Sequence, residues 1–195
     1  MVVGITGSIA CGKSLVSNYL KSKNYPIIDS DVISHNVLLL EDVKKQLIQT
    51  FGNNILTIDN EINRKELGSI IFNDINQKQK LQDIVFPYIL DEIKRKINSY
   101  SGLIFLDAPL LIEYDILYLV DKVIVVSLDL NKQIERLMNR DNITKEYALK
   151  KINSVLSSKE KEKYADYIID NNNDIKNTYN QIDNILKKLG ELYEN

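Results

Sequence analysis

Residues Gly4–Leu20 read GITGSIACGKSLVSNYL. Gly7, Gly12, Lys13 and Ser14 stand in this stretch at the spacing G-x-x-x-x-G-K-[ST]. Met1 to Thr6 carries Val2, Val3 and Ile5, a β-branched run that predicts a short buried strand. After the loop, Leu15, Val16, Tyr19 and Leu20 share one face of a predicted helix. Strand, glycine turn and helix together imply a phosphate cradle. The glycines let backbone N–H groups turn inward, and with the helix N-terminus these groups hold phosphate oxygens. The nucleotide contacts are therefore expected at Gly7, Ala10, Cys11, Gly12, Lys13, Ser14 and Leu15. Lys13 places a cation near the β- and γ-phosphates, and the Ser14 hydroxyl is a ligand for Mg2+. Cys11 has two readings. Positive charge and a helix start would lower a thiol pKa and permit redox chemistry, or the residue fills a free position of the motif.

Composition bounds the rest. The chain has 195 residues, 44 % of them hydrophobic and 27 % charged, which suits a folded domain of ordinary size. A net charge of -2 gives no basic excess for a nucleic-acid partner. Cys11 is the sole cysteine, so no intrachain disulfide forms and a reducing compartment fits. No run reaches the roughly 18 apolar residues of a spanning helix. A cytoplasmic place without a membrane partner is expected.

Further strands are predicted at Tyr25–Asp29, Gly102–Asp107, Lys122–Leu128 and Tyr167–Asp170. Near-continuous apolar strands between helical stretches predict an α/β fold with a five-stranded parallel sheet covered on both faces, the three-layer P-loop NTPase arrangement. Ile175, Tyr179, Ile182, Leu186, Leu189 and Leu192 predict a covering helix, with Asp174 as its N-cap. One domain over 1–195 is expected. Its core takes about 1–33, 102–132 and 166–195; a helical insertion takes about 34–101 and a charged lid about 133–165.

Carboxylates stand where phosphoryl chemistry needs them. Asp29 and Asp31 lie at the end of the second strand, and their spacing points both side chains one way if that strand continues. One could serve as base and the other as support, or Asp29 could cap a strand end or a helix. Asp107 ends an apolar strand, the position from which a carboxylate approaches a metal or its waters. Arg136 and Arg140 sit four apart on a predicted helix, suited either to closing over a triphosphate or to a solvated face. His35, the sole histidine, meets a substrate phosphate or belongs to the surface. A GTPase switch is excluded: Ala108, Pro109 and Leu110 follow Asp107 with no glycine, and Ile134 stands where N-K-x-D needs aspartate. A small kinase accounts for the insertion as an acceptor pocket and the arginine-bearing segment as a lid.

The ordered motifs resemble the dephospho-coenzyme A kinase family. After the phosphate loop come D-x-D (Asp29, Asp31), H-x-V (His35, Val37), F-G (Phe51, Gly52) and R-x-x-L-G-x-x-x-F (Arg64, Leu67, Gly68, Phe72). D-x-P-L-L-x-E follows as Asp107, Pro109, Leu110, Leu111 and Glu113, and Q-x-x-R-L-x-x-R as Gln133, Arg136, Leu137 and Arg140. A late block matches Lys161, Ala165, Asp166, Ile169 and Asn171. The resemblance implies transfer of the ATP γ-phosphate to the ribose 3′-hydroxyl of dephospho-CoA. It implies Asp31 as general base, with Lys13 and Arg140 completing the catalytic set. Mg2+ would sit among Ser14, Asp31 and Asp107, and Arg136 and Arg140 would reach ATP. Asp29, Asp31, His35, Arg64, Asp107 and Leu111 would receive the acceptor. The chain departs from the family pattern at Leu15 (usually threonine), Phe86 (usually histidine), Lys151 (usually arginine) and Val155 (usually glutamine), and lacks the usual P-G after H-x-V. The oligomeric state is left open by the residues.

Overall fold

Aliphatic and β-branched residues dominate the predicted strands, and these strands pair into one parallel sheet. A computed structural model describes residues 1–72 and 74–193. The side chains of Phe72 and Leu192, singled out above, lie outside the described residues. Two compact units divide the chain: Met1–Asp29 with Tyr100–Asn195, and Ser30–Ser99.

The first unit holds β1 (Val2–Gly7), α1 (Lys13–Ser22), β2 (Ile27–Asp29), β3 (Ile104–Asp107), β4 (Lys122–Ser127) and β5 (Tyr167–Asp170). The strands run parallel in the order β2-β3-β1-β4-β5. The helices α6 (Leu130–Asp141), α7 (Lys145–Ile152), α8 (Ser158–Glu162) and α9 (Ile175–Tyr193) complete this unit. An apolar cluster joins Val3, Ile5, Phe105, Ile124, Val126 and Ile169 of the sheet to Leu20 of α1 and Ile182 and Leu189 of α9. Tyr19 stacks on Tyr179 with ring centroids 4.0 Å apart, and Tyr25 meets Phe105 edge-on at 5.5 Å. The Asp174 carboxylate accepts from the Asn177 N–H at 2.7 Å, which is the N-cap bond predicted for α9.

Parallel register aligns the carboxyl ends of the strands. Ile5 stands beside Asp107, and Asp107 beside Asp29. The glycine loop leaves the central strand β1 at this edge, where ligands of open α/β sheets bind.

The second unit is helical: α2 (Ser30–Val37), α3 (Glu41–Phe51), α4 (Arg64–Phe72) and α5 (Ile75–Asn98). Ile33, Val37, Val43, Leu47, Ile55, Leu67, Val85 and Ile93 are buried in it. One conditional reading is settled here. The chain turns into α2 at Ser30, directly after Asp29, so Asp31 lies in a first helical turn and not on a continued strand. The alternation of Asp29 and Asp31 on one strand face therefore fails. Within the helical insertion, α5 runs unbroken through Pro87. Proline removes one backbone donor, but α5 packs against α2, α3 and α4, and that burial outweighs one missing bond.

Phe105 of β3 is fully buried. Phe105→Ala is expected to cost about 3–5 kcal/mol of unfolding free energy, read from urea denaturation followed by far-UV dichroism.

Candidate active site

The loop between β1 and α1 is shaped by close packing. Ala10 has φ 60° and Gly12 φ 97°, both in the left-handed region. Glycine takes that conformation without strain, and alanine takes it at a cost. A Cβ at Gly7 would stand 2.5 Å from Cys11 Sγ and 2.7 Å from the Val126 carbonyl oxygen. The Cys11 thiol thus fills the space beneath the loop and is 1 % exposed. Burial pushes this thiol above its ordinary pKa despite the nearby Lys13 and Lys161 charges. A neutral, enclosed thiol is a packing element, and the redox reading of Cys11 falls.

Asn171, at the end of β5, braces the same loop. Its buried Nδ2 donates to the Cys11 carbonyl oxygen at 2.8 Å, and its Oδ1 accepts from the Thr178 hydroxyl at 2.9 Å. A Cβ at Gly12 would stand 2.0 Å from Asn171 Nδ2 and 3.2 Å from Arg136 Nη1. Arg136 also donates to the Asn171 carbonyl oxygen at 3.3 Å. The guanidinium of Arg136 therefore lies at the loop.

Lys13 and Ser17 are one turn apart on α1 and meet one carboxylate. Lys13 Nζ donates to Asp107 Oδ1 in an ion pair, and the Ser17 hydroxyl donates to Asp107 Oδ2 at 2.5 Å. Asp107 is 4 % exposed, so burial alone would oppose its charge. Ser14 is exposed in the first turn of α1. Leu111 is fully buried, its Cδ2 lying over Gly4 of β1, which makes its side chain a core element.

The segment carrying the arginines packs on the loop through Ile134, Leu137, Ala148 and Ile152, with Ile9 and Ala10 against them. Gln133 Nε2 anchors α6 to the Leu128 carbonyl oxygen at 2.6 Å and to the Ser158 hydroxyl at 3.1 Å. Arg140 is exposed and donates to Asp141, its Nε at 2.8 Å. Lys151 donates to the same Asp141 at 2.8 Å. Arg140 and then Lys151 hold the Asp141 carboxyl well below the ordinary aspartate range.

In the second unit, His35 of α2 and Arg64 of α4 are hydrogen-bonded. Arginine has no acceptor, so Arg64 Nη2 donates into the His35 Nε2 lone pair. Asp31 is exposed in the first turn of α2. Ser17, Asn171, Thr178 and Asp141 are the residues of these clusters to which the sequence reading gave no role. A serine one turn after Lys13 was the available sign for Ser17. Asn171 stood at the end of a matched motif without any indication of its contact.

A phosphate loop on the central strand of a parallel sheet, with its lysine on a strand-end aspartate, defines a nucleotide-binding protein of the P-loop kinase class. A family model for dephospho-CoA kinase matches residues 1–177. The dephospho-CoA kinase of Oceanobacillus iheyensis is 42 % identical over 193 residues, covering 96 % of this chain and 97 % of its own. The solved dephospho-CoA kinase of Campylobacter jejuni is 28 % identical with a TM-score of 0.66, over 96 % of both chains. A crystal structure from Thermus thermophilus shares the fold with a TM-score of 0.84 at 24 % identity, over 97 % of both chains. The chain belongs to the dephospho-CoA kinase family. No helix among the described residues is long and apolar enough to cross a membrane.

Two outcomes are expected. Gly12→Ala forces a Cβ against Asn171 and a left-handed backbone, so MgATP binding weakens about tenfold or more by calorimetry. Asp141 has a folded pKa below its unfolded value, so its contribution to stability is present above about pH 4 and is lost as the pH falls. Asp141→Asn is therefore less stable than wild type at pH 7, and the gap narrows in urea titrations run at progressively lower pH.

Proposed function

We propose that the protein phosphorylates dephospho-CoA with ATP, the reaction that completes CoA. One observation carries this reading: the Lys13–Asp107–Ser17 cluster stands intact at the phosphate loop of a chain matched to the family over residues 1–177.

In this reading the triphosphate occupies the loop from Gly7 to Ser14 and takes Lys13 from Asp107. The Arg136 guanidinium lies close to Gly12 of the loop. Arg140 leaves Asp141 to meet the phosphates when the arginine-bearing segment closes, so the charge that develops in transfer is neutralised. The hydroxyl of Ser14 and the carboxylate of Asp107 are oxygen donors suited to Mg2+, which keeps several waters and arrives with the phosphates. Bound there, Mg2+ would draw charge from the phosphate oxygens. Asp31 takes the proton of the ribose 3′-hydroxyl. The freed oxygen bonds to the γ-phosphorus, the bond to the β-phosphate oxygen breaks, and ADP leaves. Asp29, His35 and Arg64 are assigned to the acceptor.

The test is direct. Incubation with MgATP and dephospho-CoA should yield ADP and CoA in equal amounts by mass spectrometry, with no phosphorylated product from adenosine, AMP or cytidine monophosphate. Turnover of one of those acceptors instead would discard the acceptor and keep the kinase. Asp31→Asn should lower kcat by about 100-fold or more, because the base is removed and the nucleotide site is not. Turnover within a few-fold of wild type would move the base elsewhere.

A further inference from the structure

Lys161 lies on α8, and its side chain is fully buried. Its ammonium donates to the Pro109 carbonyl oxygen at 2.6 Å and to the Thr6 hydroxyl at 3.3 Å, and pairs with Glu113 at 2.9 Å to one oxygen and 3.0 Å to the other. Thr6 in turn donates to the Pro109 carbonyl oxygen at 2.9 Å. Glu113 Oε1 also accepts from the Leu156 N–H at 3.1 Å, in the stretch between α7 and α8. These partners have a common meaning. Thr6 is the residue before Gly7, where the phosphate loop begins. Pro109 and Glu113 belong to the loop that follows Asp107. Leu156 and α8 form the C-terminal root of the arginine-bearing segment.

We propose that Lys161 is a positioning residue for phosphoryl transfer, a buried clamp that fixes the ends of β1 and β3 and the root of the arginine-bearing segment to one another. The proposal rests on the kinase reading above. Fully buried, Lys161 would act through its partners and not on substrate. It acts by holding Gly7 and Asp107 at one spacing, and a small displacement there costs more in the transition state than in ground-state binding. A buried ammonium is an expensive way to join apolar elements, since a hydrophobic pair of similar volume serves stability equally well. Its four acceptor atoms give directional contacts that such a pair cannot.

That difference supplies the experiment. Removing Lys161 alone strands the Glu113 carboxylate and confuses folding with function. Lys161→Met combined with Glu113→Met removes both charges and leaves neither unpaired. Calorimetry with MgATP, thermal melting and steady-state CoA formation are measured on the full-length protein. The clamp predicts a melting temperature close to wild type, MgATP affinity within about threefold, and kcat lower by about tenfold or more. A folded double variant with wild-type kcat would overturn the proposal and leave the pair a structural device only. Should the double variant not fold, Thr6→Val decides by the same assay: it keeps the β-branched shape and deletes one acceptor of Lys161 and the donor to Pro109. Loss of several-fold in kcat supports the clamp, and unchanged kcat overturns it. A wild-type protein that binds MgATP and makes no CoA would sink the kinase reading and the clamp with it, an outcome distinct from equal activity in wild type and variant.

Discussion

The carboxylate of Asp107 is buried at the end of β3, and Lys13 and Ser17 of α1 both donate to it. An isolated carboxylate in that position would cost several kcal/mol, so the chain must supply partners. It does so from the helix that follows the phosphate loop. The same lysine is thus a structural counter-charge before ATP arrives and a phosphate ligand in the proposed reaction. Sharing Lys13 joins the two tasks. In the proposed reaction, a triphosphate that drew the ammonium away would leave Asp107 bonded to Ser17. Loop, helix and strand end are coupled through one side chain, and the sheet register that puts Ile5 beside Asp107 fixes their distance.

Packing imposes the second constraint. The loop has almost no slack on its inner side, where Cys11 Sγ lies beneath Gly7 and Asn171 Nδ2 beneath Gly12. Asn171 is itself held by Thr178 of α9. The cradle therefore depends on side chains from the far end of the chain as much as on its own glycines. Arg136 joins this arrangement, whereas Arg140 stays with Asp141 and Lys151. One of the two arginines is placed at the loop and the other is paired with Asp141. Lys151 stands at a position where the sequence resemblance leads one to expect an arginine. An ammonium can satisfy Asp141 from this position, but it lacks the planar fork with which a guanidinium could also grip phosphates.

The sheet was legible because its strands are short apolar runs with clear ends, and parallel strands buried on both faces must look that way. The phosphate loop was legible because four fixed positions and their setting on a strand and a helix constrain one another. Local signals also placed Asp174 as a cap and Arg136 on a helix. What escaped were contacts between residues far apart in sequence. Ser17 meets Asp107 across 90 residues, and Asn171 meets Cys11 across 160. Such pairs are set by topology, which no window of sequence contains. Asp31 differs in kind. The conditional reading that put Asp29 and Asp31 on one strand face does not hold, because the chain enters α2 directly after Asp29.

The strand order carries a consequence for how the protein is made. β1 is central, and its two neighbours begin at Ile104 and Lys122. During synthesis β1 leaves the ribosome first and must wait for about a hundred residues before either partner exists. Ser30–Ser99 is contiguous and held by nearby helices, so it has everything it needs to collapse early. The phosphate loop, by contrast, takes its final shape only when β5 delivers Asn171. Nascent chains stalled before that residue should carry a compact helical segment and no nucleotide site, and an apolar first strand left unpaired in the meantime is the stretch most in need of a chaperone.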